Sequence, residues 1–167
     1  MKDQRGQIAA RGITLVETVL SMAVASLMLV ASLNTVAAAR VGQVWNTQRM
    51  AAATAASALM AEVRDMPYAD PQGDRSIGPD SGELTRALFD DVDDYDGYAA
   101  ACVDRAGAAL PGTARMTFAV EVKWVEPTAP ETMRASDSLL KRVTVRVLRD
   151  GTELARLTAC RSELVPR

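Results

Sequence analysis

The sequence predicts an α+β fold in which a long N-terminal α-helix, half transmembrane and half amphipathic, packs on a small antiparallel β-sheet. Three observations carry this expectation. Thr18 to Val36 is a run of about 19 residues without a charge, and at 1.5 Å per residue such a helix matches the ~30 Å hydrocarbon thickness. Apolar residues then recur at three- and four-residue steps as far as Met66, with no proline before Pro67, the period of an amphipathic helix. Beyond residue 115 the period becomes two, the mark of strands with one buried face.

Residues 1–12 carry Lys2, Arg5 and Arg11 against Asp3 alone and lack apolar periodicity. They form a basic leader whose charge predicts a cytoplasmic N-terminus and an outward C-terminus. The apolar run behind it is longer than the 7–15 residues of a secretory signal, although Ala37-Ala38-Ala39 would offer a small-residue cleavage site. Glu17 stands just inside this run. An ionised carboxylate at membrane depth costs about 2.5–3.5 kcal/mol or more, so such a residue usually has a partner and a function.

Gly12 followed by Ile13-Thr14-Leu15-Val16-Glu17 and a long apolar helix resembles the prepilin-type signal of type IV pilins and type II secretion pseudopilins. The resemblance implies that a prepilin peptidase cuts the Gly12–Ile13 bond and methylates the new amine at Ile13. It also implies that Glu17 sets assembly register by pairing with that amine on a neighbouring subunit. Opposite charges 4 Å apart attract by about 4 kcal/mol at an effective dielectric of 20, comparable to the membrane cost of the carboxylate. Two positions depart from the family pattern. Ile13 stands where Phe is commonest, and Asn34 where major pilins commonly have Pro, so no helix hydrogen bond is deleted there. The second departure points to a minor subunit. The string from Ala58 to Tyr68 also resembles the helix exit of minor pilins and smaller pseudopilins, more weakly.

In the soluble half of the helix, Val41, Val44, Trp45, Gln48, Ala52, Ala55, Leu59, Val63 and Met66 mark one face, and Ala51 to Ala61 is rich in small residues that permit close packing. Pro67 ends the helix. Asp70 to Gly82 contains Pro71, Gly73, Gly78, Pro79 and Gly82 and reads as loop. A short helical turn is predicted over Glu83 to Phe89. The cluster Asp90-Asp91-Val92-Asp93-Asp94-Tyr95-Asp96 gathers oxygen ligands that calcium would accept. It lacks the EF-hand spacing, and a solvated acidic surface or docking patch is the main reading. No cofactor is otherwise implied.

Tyr98 to Val103 reads as a first strand. Met116, Phe118, Val120, Val122 and Trp124 alternate with Thr117, Ala119, Glu121 and Lys123; a loop with Pro127 and Pro130 follows. Val143, Val145 and Val147 alternate with Arg142, Thr144 and Arg146, and Ala155, Leu157 and Ala159 return after Asp150-Gly151. A two-residue turn would set Val145 opposite Arg156 and mix polar with apolar. A three-residue Arg149-Asp150-Gly151 loop, pairing Val145 with Ala155 and Val143 with Leu157, is therefore expected. The outer face of this hairpin would carry Arg142, Arg146 and Arg156. Without interleaved exposed aromatics it is a poor nucleic-acid surface.

These readings divide the chain into a leader at 1–12, removed according to the resemblance, and the transmembrane half of the helix at 13–39. The soluble half follows at 40–66, then an acidic loop region at 67–114 and the sheet with its C-terminal hairpin at 115–167. Net charge is −2, but Glu62 to Asp104 carries roughly −9 and Arg105 to Arg167 roughly +4. Cys102 and Cys160 both lie beyond the apolar run; a bridge between them and two separate buried thiols are both compatible with the sequence. With no His, no Gly-rich phosphate loop and no nucleophile motif, the chain is not expected to be an enzyme. The expected function is assembly, as a minor pilin or pseudopilin of the bacterial inner membrane with its C-terminal domain extracytoplasmic. The partners implied by the resemblance are prepilin peptidase, other pilin or pseudopilin subunits, an inner-membrane assembly platform and lipid. The alternative is a signal-anchored periplasmic binding domain that does not polymerise.

Overall fold

A computed structural model of the chain describes residues 14–73 and 75–163. Helix α1 spans Leu15–Asp65. It is followed by β1 (Ala99–Ala101), β2 (Met116–Glu126), β3 (Ala129–Met133), β4 (Leu140–Arg149) and β5 (Thr152–Ser162), all paired antiparallel in the order β1-β2-β4-β5, with β3 also on β2. The expected α+β class is therefore observed. The chain forms two compact units, one up to Val44 and one from Trp45 onward.

In the first unit the helix presents apolar side chains to the outside throughout; an 18-residue apolar window has none of its residues buried. Length and composition suffice for this segment to span a membrane. In the second unit the same helix turns inward along one stripe. Ala52, Ala55, Ala56, Leu59, Met60 and Val63 are buried against Met116, Phe118, Val120 and Val122 of β2 and Val143, Val145 and Val147 of β4. The small residues admit close approach: a Cβ built on Gly112, which has φ +74°, would lie 3.2 Å from the Ala51 methyl. The helix ends one residue short of the expected Met66, and Arg161 Nη2 donates to the Met66 carbonyl at 3.1 Å, a basic side chain serving an orphan helix-end acceptor.

Several expectations are corrected. Residues 83–89 contain no helix; the Leu88 amide closes a single turn on the Thr85 carbonyl at 2.8 Å. The segment with Pro127 and Pro130 contains β3, which pairs Val125 with Met133 and Glu126 with Ala129 across a register shift; proline is tolerated at such an edge. The β4–β5 turn has only two residues, Asp150 and Gly151, both at positive φ (50° and 81°), which suits the twist of a tight hairpin. The extra residue is Leu154, bulged where the pairing steps from Val147↔Ala155 to Leu148↔Glu153. Val145 consequently faces Leu157 and Val143 faces Ala159. Apolar still meets apolar, as register demands, but the insertion sits in the strand and not in the loop. β5 lies at the end of the strand order, with one edge unpaired among the described residues.

Cys102 and Cys160 are both free thiols, Cys102 buried and Cys160 exposed, which corrects the bridged alternative. Cys102 follows β1 and Cys160 lies in β5, at opposite ends of the strand order. Three strand spacings of about 4.8 Å separate these edges, too far for the Cα atoms of a disulfide. They also differ in facing, since Cys102 joins the helix-side core while Cys160 pairs with Arg142 on the other face. Two buried thiols are not found either.

Candidate functional site

Gly12 and Ile13 lie outside the described residues. Glu17 falls in the first turn of α1 and is exposed. Its backbone N–H donates to Thr14 Oγ1 at 3.3 Å, so Thr14 caps the helix and Glu17 occupies the third helical position. Thr14-Leu15-Val16-Glu17 thus fits a capping box, a signal legible in the sequence beside the family motif. A carboxylate here also complements the positive end of the helix dipole. Leu15, Val16, Val19 and Leu20, all more than half exposed, surround it. The arrangement supplies one anionic group within an apolar helix face, at the end where a membrane helix would begin.

The acidic segment is organised very differently from the solvated surface expected of it. Asp91, Asp93 and Asp94 are buried. Asp91 Oδ1 accepts from the backbone N–H of Asp93 and of Asp94, the latter at 3.2 Å; Asp94 Oδ2 accepts from Asp90 N at 2.9 Å and Asp91 N at 3.1 Å. These bonds fold the segment around a 3-10 turn at Asp93–Tyr95. Asp96 receives Lys123 Nζ at 3.0 Å and the Val122 amide at 2.8 Å. Burial, with Asp93 and Asp94 close by, pushes the Asp91 carboxyl up to about 7.

Two ionic groups, one buried and one partly buried, neither foreseen, bind this segment to the helix and sheet. Lys141 of β4 reaches Asp93 Oδ2 at 2.6 Å, donates to the Tyr68 carbonyl and lies 4.0 Å from the Tyr68 ring centroid. Burial raises Asp93 to about 6 even with Lys141 beside it. On the other side Arg86 forks onto Glu62 of α1 at 2.9 and 2.5 Å, and the Tyr95 hydroxyl donates to Glu62 Oε1 at 2.7 Å. Burial disfavours the Glu62 charge, but Arg86 and Tyr95 outweigh it and hold the carboxyl below its usual range. The sequence signal was limited to parity: Lys141 shares the inward phase of Val143, Val145 and Val147.

Glu83, Asp90 and Asp94 offer carboxylate oxygens that all lie within 4.8 Å of one another. Glu83 is pushed up to about 7 by burial and by hydrogen bonding to Asp94. Asp90 also accepts from Gln72 Nε2 at 3.0 Å, and Asp94 Oδ2 is already taken by the Asp90 and Asp91 amides.

The outer face of the sheet carries Arg142, Arg146 and Arg156 as expected, with Arg146 and Arg156 as direct cross-strand partners. A search of known protein families, of curated proteins and of solved structures returned no match to this chain. What is established is therefore architectural: a long N-terminal helix, apolar and exposed over its first half, packed by its second half on an antiparallel sheet, a form compatible with pilin-like architecture.

Proposed function

We propose that this chain is a minor pilin or pseudopilin subunit, processed at the Gly12–Ile13 bond and built by its N-terminal helix into a type IV pilus or type II secretion pseudopilus. The observation that carries the reading is the change of environment along α1. Its first half exposes apolar residues with one carboxylate at its head, and its second half buries an alanine-rich stripe under a sheet. The first half has the surface of a segment meant for lipid or for like helices; the second is the handle of a soluble domain. Glu17 then serves as an intersubunit acceptor for the methylated amine of Ile13 on a neighbouring copy. Prepilin peptidase, other pilin or pseudopilin subunits and an inner-membrane assembly platform are the partners in this reading, with the sheet domain extracytoplasmic and no catalytic role.

The test is mass spectrometry of the N-terminus of protein recovered from membranes of the native host. A methylated Ile13 is the expected result. An intact Met1 would instead identify a membrane tether that does not polymerise, and Arg40 an exported soluble protein. In a processed chain, Glu17→Ala should reduce recovery of subunit complexes at least about tenfold, equivalent to 1.4 kcal/mol. Unchanged recovery would remove the register role.

A further inference from the structure

The sheet face turned away from the helix holds a groove of about 340 Å³ lined by Arg142, Arg146, Arg156, Thr144, Thr158 and Glu121, with Met133 at its rim. Thr144 and Thr158 are cross-strand partners whose hydroxyls lie 3.4 Å apart, and they floor it. Arg142 is held by the carbonyls of Pro130 and Glu131, at 3.1 and 3.5 Å. Arg156 forks onto Glu153 at 2.9 and 2.8 Å. Arg146 stands directly opposite Arg156, and its Nε is buried without a hydrogen-bond partner among the described residues. Like charges opposite one another destabilise a sheet, and a buried donor left unpaired is unfavourable. An incoming anion relieves both. Three guanidinium groups against Glu121 and Glu153 leave a local charge of about +1, which suits a carboxylate better than a polyphosphate chain.

The same chain exposes a complementary element. Leu84 is 90% exposed and Leu88 54%, and beside them Glu83 is crowded by Asp90 and Asp94. This loop is fastened to the helix through Arg86 and Glu62, whereas the groove faces the opposite side of the sheet, so the two belong to different copies in any contact between them. We propose that the arginine groove receives the 82–89 loop of a second copy, Glu83 meeting Arg146 and Arg156 while Leu84 covers Met133. The contact is head-to-tail and therefore propagates instead of closing a dimer. It deepens, and rests on, the assembly reading above.

Cys160 pairs with Arg142 on the groove face and is exposed, so it reports on the contact. The full-length Leu84→Cys variant, in host membranes, is treated with a short bismaleimide. A ladder of covalent dimers and higher oligomers is expected, absent when Cys160→Ser is added, reduced at least fivefold by Arg146→Glu, and restored by combining Arg146→Glu with Glu83→Arg. Buried Cys102 remaining unlabelled verifies that each variant is folded. No dimer, or a dimer indifferent to Arg146→Glu in folded protein, overturns the contact. Retention of a short duplex DNA or an unrelated acidic peptide in place of the dimer does the same. A methylated Ile13 in a sample without dimer sinks this contact alone, while an intact Met1 sinks the assembly reading itself.

Discussion

Lys141 Nζ lies 2.6 Å from Asp93 Oδ2, with the two side chains only 2% and 3% exposed, so the sheet and the acidic segment share a buried ion pair. Removing one member of such a pair leaves the other charged and unsolvated, which typically costs about 3–5 kcal/mol. Lys141→Met should therefore lower the unfolding free energy of the sheet-bearing unit by about that amount, measured by urea denaturation in detergent with Trp fluorescence. Adding Asp93→Asn should recover most of the loss. A Lys141→Met loss below about 1 kcal/mol would show that the pair adds little.

Stability should rise as pH falls from about 7.5 to 5. Asp91, pushed up to about 7, binds a proton in the folded state at pH values where the unfolded chain, near its ordinary value of about 3.9, does not. Carboxyls with raised folded values contribute most stability when protonated and lose it as pH climbs through those values. Asp91 alone should contribute about 1–2 kcal/mol over this window. Glu62 and Asp137 are held below their usual ranges, so their contribution is lost only at still lower pH, where the trend reverses. Thermal midpoints across pH should show the rise, and Asp91→Asn should flatten it; a midpoint falling steadily from pH 7.5 to 5 would contradict it.

Gly112→Ala should destabilise by about 2–3 kcal/mol, combining the cost of a left-handed conformation with crowding against Ala51 at 3.2 Å. Gly107→Ala meets only the first cost, because φ is +88° there but no atom of the described residues lies within 4 Å of the added Cβ. Equal losses in the two variants would mean that the helix yields freely at Ala51.

Thiol labelling of the folded chain should modify one cysteine. Cys160 is exposed, whereas Cys102 is buried and its thiol is pushed up to about 11 by burial, leaving almost no thiolate at neutral pH. Maleimide followed by intact-mass measurement should give one adduct, none for Cys160→Ser, and two for the natural chain once unfolded. A non-reducing mass two hydrogen atoms lighter and no adduct would reinstate the bridge.

The helix and the paired strands were legible because each depends on local periodicity: Ala52 to Val63 at helical steps, Met116 to Val122 and Val143 to Val147 in alternation. The groove arginines were legible by the same parity. Lys141 and Arg86 were not, because their carboxylates lie 48 and 24 residues away in sequence and charge alone reads as solvation. The hairpin was half legible. Its pairing principle held, but Asp150 and Gly151 accept the paired positive φ values of a tight turn, so the surplus residue moved to Leu154. β3 was hidden by prolines that its edge position tolerates. The Thr14 cap was present as a Thr-x-x-Glu spacing, overshadowed by the family resemblance of the same residues.

The Leu154 bulge has a consequence beyond register. β5 is an 11-residue strand with one edge unpaired among the described residues, the kind of backbone template that recruits foreign strands into aggregates. A bulge sharpens local twist and interrupts the flat ladder such recruitment needs, and Glu153, Arg156 and Arg161 place charges along what remains. Leu154 acts in this light as a gatekeeper. It restrains generic strand addition while leaving the side-chain face of the sheet open to selective contacts.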